Sequence, residues 1–489
     1  MAQARSGGSR PRRVAVIGAG ASGLAAAKCL LDEGLEPLVF ERRAEIGGIW
    51  NFDEALPDGG GPAYRSLRTN TSRHVCGFSD FPFPDGLPDF PARADVLDYL
   101  WHYAARFVPP DRVRLGARVE AVTPLDGGRW AVRANRAGAL ETEPVDAVVV
   151  CTGLYHEPVV PTYPGRKTFA GEVTHSASYV GPEPFAGRDV VLVGAGSSAV
   201  DIALELCHGG ARVTLSLRSG AWFVPRYVGR RPYDHQLTRL SNRVPAPIRM
   251  RVFRGLIVNE YRRLGLSRRA SDWGVPVPPI DLDRFRFTVG AEVLPLIAAG
   301  ELAVRPDVAR LDTDDVVFSD GSRTRADALI CCTGYGLDLP FLDPIGFRVE
   351  EEPDLYRYVF SPAHPGLAFV GMCVVPGPYL PVVEMQARWI ARVVAGRVTL
   401  PAPAAMRRQM EAERAARRRK GTAPMRVQFV DYLDAIGHEI GVVPRPWRHP
   451  RLLVPLLFGP PTPSLYRLEG PGRWEGAPDA VRAAFRGQG

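Results

Sequence analysis

The residues best placed to do chemistry are two glycine-rich turns, each followed by a strand end of a different charge. Gly18-Ala19-Gly20-Ala21-Ser22-Gly23 fits G-x-G-x-x-G. In such a turn the first glycine permits the tight bend. The second lets backbone N–H groups approach a pyrophosphate, and the third lets the next helix pack on the strand. The helix N-terminus favours the anion, and Ser22 stands there with a hydroxyl. Glu41 closes the following apolar run. A carboxylate at that position accepts both hydroxyls of an unphosphorylated ribose and repels a 2′-phosphate, which suits FAD or NAD and argues against NADP. Gly47-Gly48-Ile49-Trp50 comes next, and Gly48 suits a second close approach of backbone to the same ligand. Trp50 either touches that ligand or packs in the core.

The second turn, Gly194-Ala195-Gly196-Ser197-Ser198-Ala199, is the G-x-G-x-x-A variant. Leu217 stands where the first site has Glu41, and Arg218 follows it. A guanidinium there pairs with a 2′-phosphate, so this site should take NADP rather than NAD. Two such sites in one chain imply electron traffic between a nicotinamide and a flavin.

The elements needed to hold these turns are legible as a repeat. Val14–Ile17 is a continuous apolar run, the pattern of a buried parallel strand. A helix over Leu24–Leu31 follows, Gly34 ends it, and Leu38–Phe40 gives the next strand. The plan recurs at Val190–Val193, Ser198–Leu206 and Val213–Leu217. A second repeat sets the run ending Thr152-Gly153 against the run ending Thr333-Gly334, and Thr152 and Thr333 become candidate cofactor contacts. The expected fold class is α/β, with two Rossmann-like dinucleotide-binding domains, the FAD domain discontinuous and the NADPH domain inserted in it. The expected divisions are a disordered tail over 1–11, a first FAD part over 12–159, an NADPH domain over 160–328 with a helical insertion at about 221–283, and a second FAD part over 329–489.

The bulk numbers agree with a multidomain globular enzyme. At 489 residues the chain exceeds what one core supports. A net charge of +8 suits anionic ligands, but it is not gathered as nucleic-acid binding would need. Its densest basic run, Arg407 to Lys420, reads as one solvated helix. Seven cysteines without a CxxC read as reduced, intracellular thiols, hence a cytoplasmic location. No metal-ligand cluster is visible. No apolar run approaches the ~18 residues of a membrane span.

Between the two sites lies Phe169-Ala170-Gly171-Glu172-Val173-Thr174-His175-Ser176-Ala177-Ser178-Tyr179, an F-x-G-x-x-x-H-x-x-x-Y pattern. With Glu41, Gly48 and Trp50 it resembles the flavin-containing monooxygenases, in their dimethylaniline-type N- and S-oxygenating branch. The resemblance extends through Tyr64–Asn70, Phe78–Pro84, Cys332–Tyr335, Glu384–Trp389 and Phe458–Pro460, and covers roughly 12–485. It implies FAD and NADPH as cofactors. It also implies reduction of the flavin by NADPH, a C4a-hydroperoxide formed with O₂, and attack on it by an amine or sulfide of a small molecule. Asn70 is the catalytic candidate, a polar group near the nicotinamide, and Thr69 stands beside it. His175 would fix the link between domains and reach NADP, and Thr333 and Gln386 would touch the flavin. The C-terminal membrane helix of animal members is missing, and a homodimer is allowed. Related Baeyer–Villiger enzymes carry Trp where Tyr179 stands, which weighs against ketone oxygenation, the alternative reading. A flavin disulfide reductase would need a redox cysteine pair, and a non-enzymatic NADPH-sensing module would consume no O₂.

Overall fold

The computed structural model describes residues 12–54, 61–155, 157–219, 222–266, 275, 287–349 and 352–486. The expected tail over 1–11, and most of 267–283 in the expected insertion, lie outside the described residues.

Two five-stranded parallel sheets carry the molecule. In the first the order is Leu367–Phe369, Ala147–Val150, Arg13–Ile17, Glu36–Phe40 and Val113–Arg114. In the second it is Leu302–Arg305, Arg212–Ser216, Asp189–Val193, Ala328–Cys331 and Glu172–His175. The central strands are buried at consecutive positions, as sheets covered on both faces require. Each glycine-rich turn leads from a central strand into a helix, Ala21–Asp32 in one sheet and Ser197–His208 in the other.

One boundary differs from the expectation. Ala328–Cys331 pairs with Asp189–Val193 inside the second sheet, so the chain leaves that domain after this strand and not before it. The strand is the counterpart of Ala147–Val150, which pairs with Arg13–Ile17 in the first sheet. The repeat therefore marks the same position in two sheets, and the Thr-Gly turns that follow make the crossings. The outgoing and returning segments run side by side, with Glu157–Pro158 paired to Tyr335–Gly336.

The insertion begins as strand, with Trp222–Val224 paired to Phe287–Val289, and then becomes helical over Arg239–Arg243 and Ala246–Arg263. The basic run is helix Pro403–Lys420, as its composition suggests, but it is not evenly solvated. Met406 and Met410 are buried, and Arg414 and Arg417 pair with Glu352. Among the described residues no helix is long and apolar enough to cross a membrane.

A buried charge cluster closes the discontinuous domain. Helix Leu380–Val394 packs on helix Ala21–Asp32. Lys28 reaches Asp80 at 2.6 Å, and Arg467 joins Asp80 at 2.9 Å and Glu384 at 2.7 Å. Glu384 also accepts the Ser79 N–H at 2.7 Å. Burial pushes the Asp80 carboxyl up, yet Arg467 and Lys28 outweigh it and hold the group below its ordinary range.

Candidate functional site

The first cradle is made by backbone. Gly18 has φ +105°, and a Cβ on it would stand 2.7 Å from the Cys151 carbonyl oxygen. A Cβ on Gly23 would stand 1.8 Å from the Gly18 oxygen, so the helix can start where it does only with glycine there. The second glycine pair closes over the first turn. The Gly47 N–H donates to the Ala19 carbonyl at 3.0 Å, and a Cβ on Gly48 would come within 2.9 Å of Gly20 Cα. Ser22 is buried in the first turn of the helix.

Glu41 is buried and already engaged. One carboxylate oxygen accepts the Ala19 N–H at 2.7 Å and the other accepts the Arg43 N–H at 2.9 Å. It thus shapes the glycine turn and leaves lone pairs for a ribose. Trp50 is half-buried against the core, and its carbonyl accepts from Arg93 at 3.2 Å.

The segment carrying Thr69 and Asn70 is tied to the same place. The Thr69 N–H donates to Pro91, and the Arg93 N–H donates to Leu67, so 67–70 lies beside the residues that hold Trp50. The hydroxyls of Thr69 and Thr152 and the amide oxygen of Asn70 are buried with no partner among the described residues. Buried polar atoms are ordinarily bonded, so each of these three is open to a polar ligand. These residues fit a flavin dinucleotide.

The second cradle repeats the geometry with the other charge. The Gly194 N–H donates to Ser216, and a Cβ on Gly194 would stand 2.5 Å from the Cys332 oxygen. Gly196 faces open space, with Ser197 and Ser198 half-buried just after it. Thr288 donates to the Ala195 carbonyl at 2.6 Å and pins the turn from the insertion side. Leu217 is buried, whereas Arg218 is exposed beyond the strand end. The structure also brings Arg305 to this edge, since the Leu217 N–H donates to its carbonyl at 2.9 Å. Nothing in the sequence spacing pointed to that residue.

His175 sits at the crossing between the domains. It is 4 % exposed. Its Nδ1 accepts the Ala177 N–H at 3.1 Å, so the proton sits on Nε2, which donates to the Gly334 carbonyl at 3.1 Å. Burial lowers the ring's pKa, the bond to Gly334 opposing it, and the imidazole is neutral. Both nitrogens are used by backbone, which suits a structural link and leaves no base. Thr333 likewise donates to the Val159 carbonyl across the crossing.

Gln386 corrects an expectation. It is fully buried, its oxygen accepts the Gly371 N–H at 2.7 Å, and its NH₂ donates to the Tyr432 hydroxyl at 2.7 Å. No face of the amide is left for a flavin. Gly371 itself lies against Ser22, since a Cβ there would come within 3.3 Å of the Ser22 hydroxyl. Gln386 therefore supports the cradle through Gly371.

Two parallel-sheet cradles, one closed by the buried Glu41 and one with Arg218 exposed beyond its strand end, are the pattern of a two-dinucleotide flavoprotein oxidoreductase. The chain belongs to the flavin-binding monooxygenase-like family, which it matches over residues 11–486. It is 34% identical to flavin-containing monooxygenase 1 of Rattus norvegicus over 96% of this chain and 91% of that protein. It is 35% identical to flavin-containing monooxygenase 5 of Oryctolagus cuniculus over 95% of this chain and 90% of that one. Among solved structures, S-allyl-L-cysteine S-oxygenase from Allium sativum superposes with a TM-score of 0.69 at 27% identity, covering 98% of this chain and 99% of that chain. Cyclohexanone monooxygenase shares the fold, with a TM-score of 0.66 at 19% identity over 88% of this chain and 98% of that chain. The chain is thus an FAD- and NADPH-dependent monooxygenase.

Proposed function

We propose that this enzyme oxygenates the nitrogen or sulfur of a small molecule, with FAD in the first cradle and NADPH in the second. The observation that carries the reading is the contrast between Glu41 and Arg218 at matched strand ends of two otherwise equivalent sites. The Allium relative, an S-oxygenase, acts in the same class. Bound flavin supplies the oxygen activation, and a side-chain base is not required for it.

The chain's own residues bind and orient. Glu41 holds the turn for the pyrophosphate and accepts the ribose hydroxyls. Thr69 and Thr152, whose hydroxyls are buried without a partner among the described residues, would help hold FAD. Asn70 lies between the flavin cradle and the insertion, and its amide donates to oxygen without offering an acidic proton. Arg218 pairs with the 2′-phosphate, and His175 keeps the two domains in register.

The test offers the purified holoenzyme a thioether, a tertiary amine and a cyclic ketone, each with NADPH and with NADH. Sulfoxide or N-oxide formed with a strong NADPH preference is the expected outcome. Lactone from the ketone with neither of the other products would overturn the reading in favour of Baeyer–Villiger oxygenation.

A further inference from the structure

The insertion turns back on itself at Tyr233–Gln236, and this short turn is buried against the segment that carries Asn70. Tyr233, Asp234 and His235 are 3%, 1% and 3% exposed. The Tyr233 hydroxyl donates to the Asn70 carbonyl at 3.0 Å. Asp234 Oδ2 accepts the Ser72 N–H at 2.5 Å, and His235 Nε2 lies 3.3 Å from the Ser72 hydroxyl. Three consecutive side chains of the insertion thus grip Asn70 and the residue two beyond it.

Asp234 is an unusual choice for such a contact. Its other oxygen has no hydrogen-bond partner among the described residues, and the ring within ion-pair reach of it, His235 with Nε2 at 4.0 Å, is held neutral by burial. A buried carboxylate without a counter-charge is costly, and an asparagine would accept the same N–H with no charge to bury. What the charge adds is a shorter and stronger bond to the Ser72 amide. We propose that Asp234, acting through Ser72, is a positioning residue that fixes Asn70, and that its negative charge tightens the hold. The inference rests on the reading of Asn70 given above.

A proton should therefore loosen the clamp. Burial raises the Asp234 carboxyl from 3.8 to about 6, with the Ser72 bonds opposing. His235 is held down at about 4 by burial and by His74, so it stays neutral where Asp234 titrates. The other groups packed around the turn are Tyr233, Cys76, Asp89, Arg226 and Arg231. A carboxyl raised on folding contributes stability below its unfolded pKa and loses it as pH rises through about 6. The anionic clamp therefore lowers stability at neutral pH while it steadies Asn70. Turning a charge-assisted bond into a neutral one weakens it by about 1.4 kcal/mol, about tenfold in an equilibrium.

The experiment uses holoenzyme, NADPH and air, without added substrate. Two quantities are followed between pH 5 and pH 7.5, the H₂O₂ formed and the melting temperature. The parent should leak more H₂O₂ as pH falls, with an inflection near 6. Asp234→Asn should leak about tenfold more at pH 7.5, with a flat profile through pH 6, and should lose the drop in melting temperature that the parent shows there. Tyr233→Phe, which removes the bond to Asn70 and keeps the carboxylate, should leak more while retaining the inflection. An Asp234→Asn protein that keeps the parent's inflection in either readout overturns the proposal, even if Asn70→Ala raises the leak and so upholds the reading of Asn70. Asn70→Ala with the parent's leak would overturn that reading, and the proposal with it.

Discussion

Replacing Glu41 with Gln should loosen the first cradle by more than the loss of one ribose contact. The two carboxylate oxygens each accept a backbone N–H, from Ala19 at 2.7 Å and from Arg43 at 2.9 Å. A glutamine amide has one oxygen. It can serve one of those donors, but it must then turn its NH₂ toward the other, donor against donor. Hydrogen bonds to a charged group contribute about 1.5–3 kcal/mol each, and neutral ones about 0.5–1.5. Losing one and neutralising the other costs about 2–4 kcal/mol. Glu41 is 6% exposed, so water cannot replace the lost acceptor. The turn it shapes is where the pyrophosphate must lie, so most of that loss should fall on FAD affinity, about 30- to 1000-fold. The assay strips the flavin, titrates FAD into the apoprotein and follows fluorescence quenching, with circular dichroism to verify the fold. Glu41→Asp keeps the charge but is one methylene too short to reach both amides, so it should fall between the two. A Gln variant that binds FAD within about threefold of the parent would refute the reasoning, because that is under 1 kcal/mol.

Arg218→Ala should raise the KM for NADPH by about tenfold or more while leaving that for NADH nearly unchanged, and equal changes would remove the 2′-phosphate from that strand end. Gly23→Ala places a Cβ 1.8 Å from the Gly18 oxygen, so the protein should purify colourless, and a yellow variant would show that the helix start can shift. His175 has its folded pKa lowered below 6.5, so its contribution is present above that pH and lost as pH falls, opposite in sign to Asp234. His175→Asn keeps an acceptor for the Ala177 N–H, and its melting temperature should decline less steeply than the parent's below about pH 6.5. An unaltered slope would assign the acid sensitivity elsewhere.

The cradles were legible because their chemistry is local. Glycine spacing, a strand before and a helix after are all set within thirty or so residues, the length of one βαβ unit, and the structure keeps each strand and helix within a few residues of the pattern. The Thr-Gly repeat was legible as a repeat but misread as a boundary. A run such as Leu329–Cys332 declares that it is buried, not which of two equivalent sheets it enters. Gln386 was misassigned because a polar residue in an apolar helix signals a buried partner without saying whether that partner is a ligand or a backbone amide. The Tyr233–His235 clamp and Arg305 left no trace in spacing, since each meets its partner through contacts far along the chain. Asp234 lies 162 positions from the Ser72 amide it accepts.

The same distinction explains the charge cluster that joins the two parts of the flavin domain. Lys28, Asp80, Glu384 and Arg467 come from four widely separated stretches. A buried ion cluster is poor evidence for stability, since apolar replacements of equal volume are often as stable or more so. Removing one member, however, leaves uncompensated charge and costs about 3–5 kcal/mol. Such a cluster therefore penalises wrong pairings more than it rewards the right one. That property matters in a domain whose closing helix is made after an inserted domain of similar construction. In the structure Glu384 and Arg467 meet the turn at Ser79–Asp80, and Asp80 in turn meets Lys28 of helix Ala21–Asp32, so the cluster ties helix Leu380–Val394 to the helix of the first cradle. The charges act on which glycine turn the C-terminal segment covers, and hence on which of the two sites becomes the flavin site.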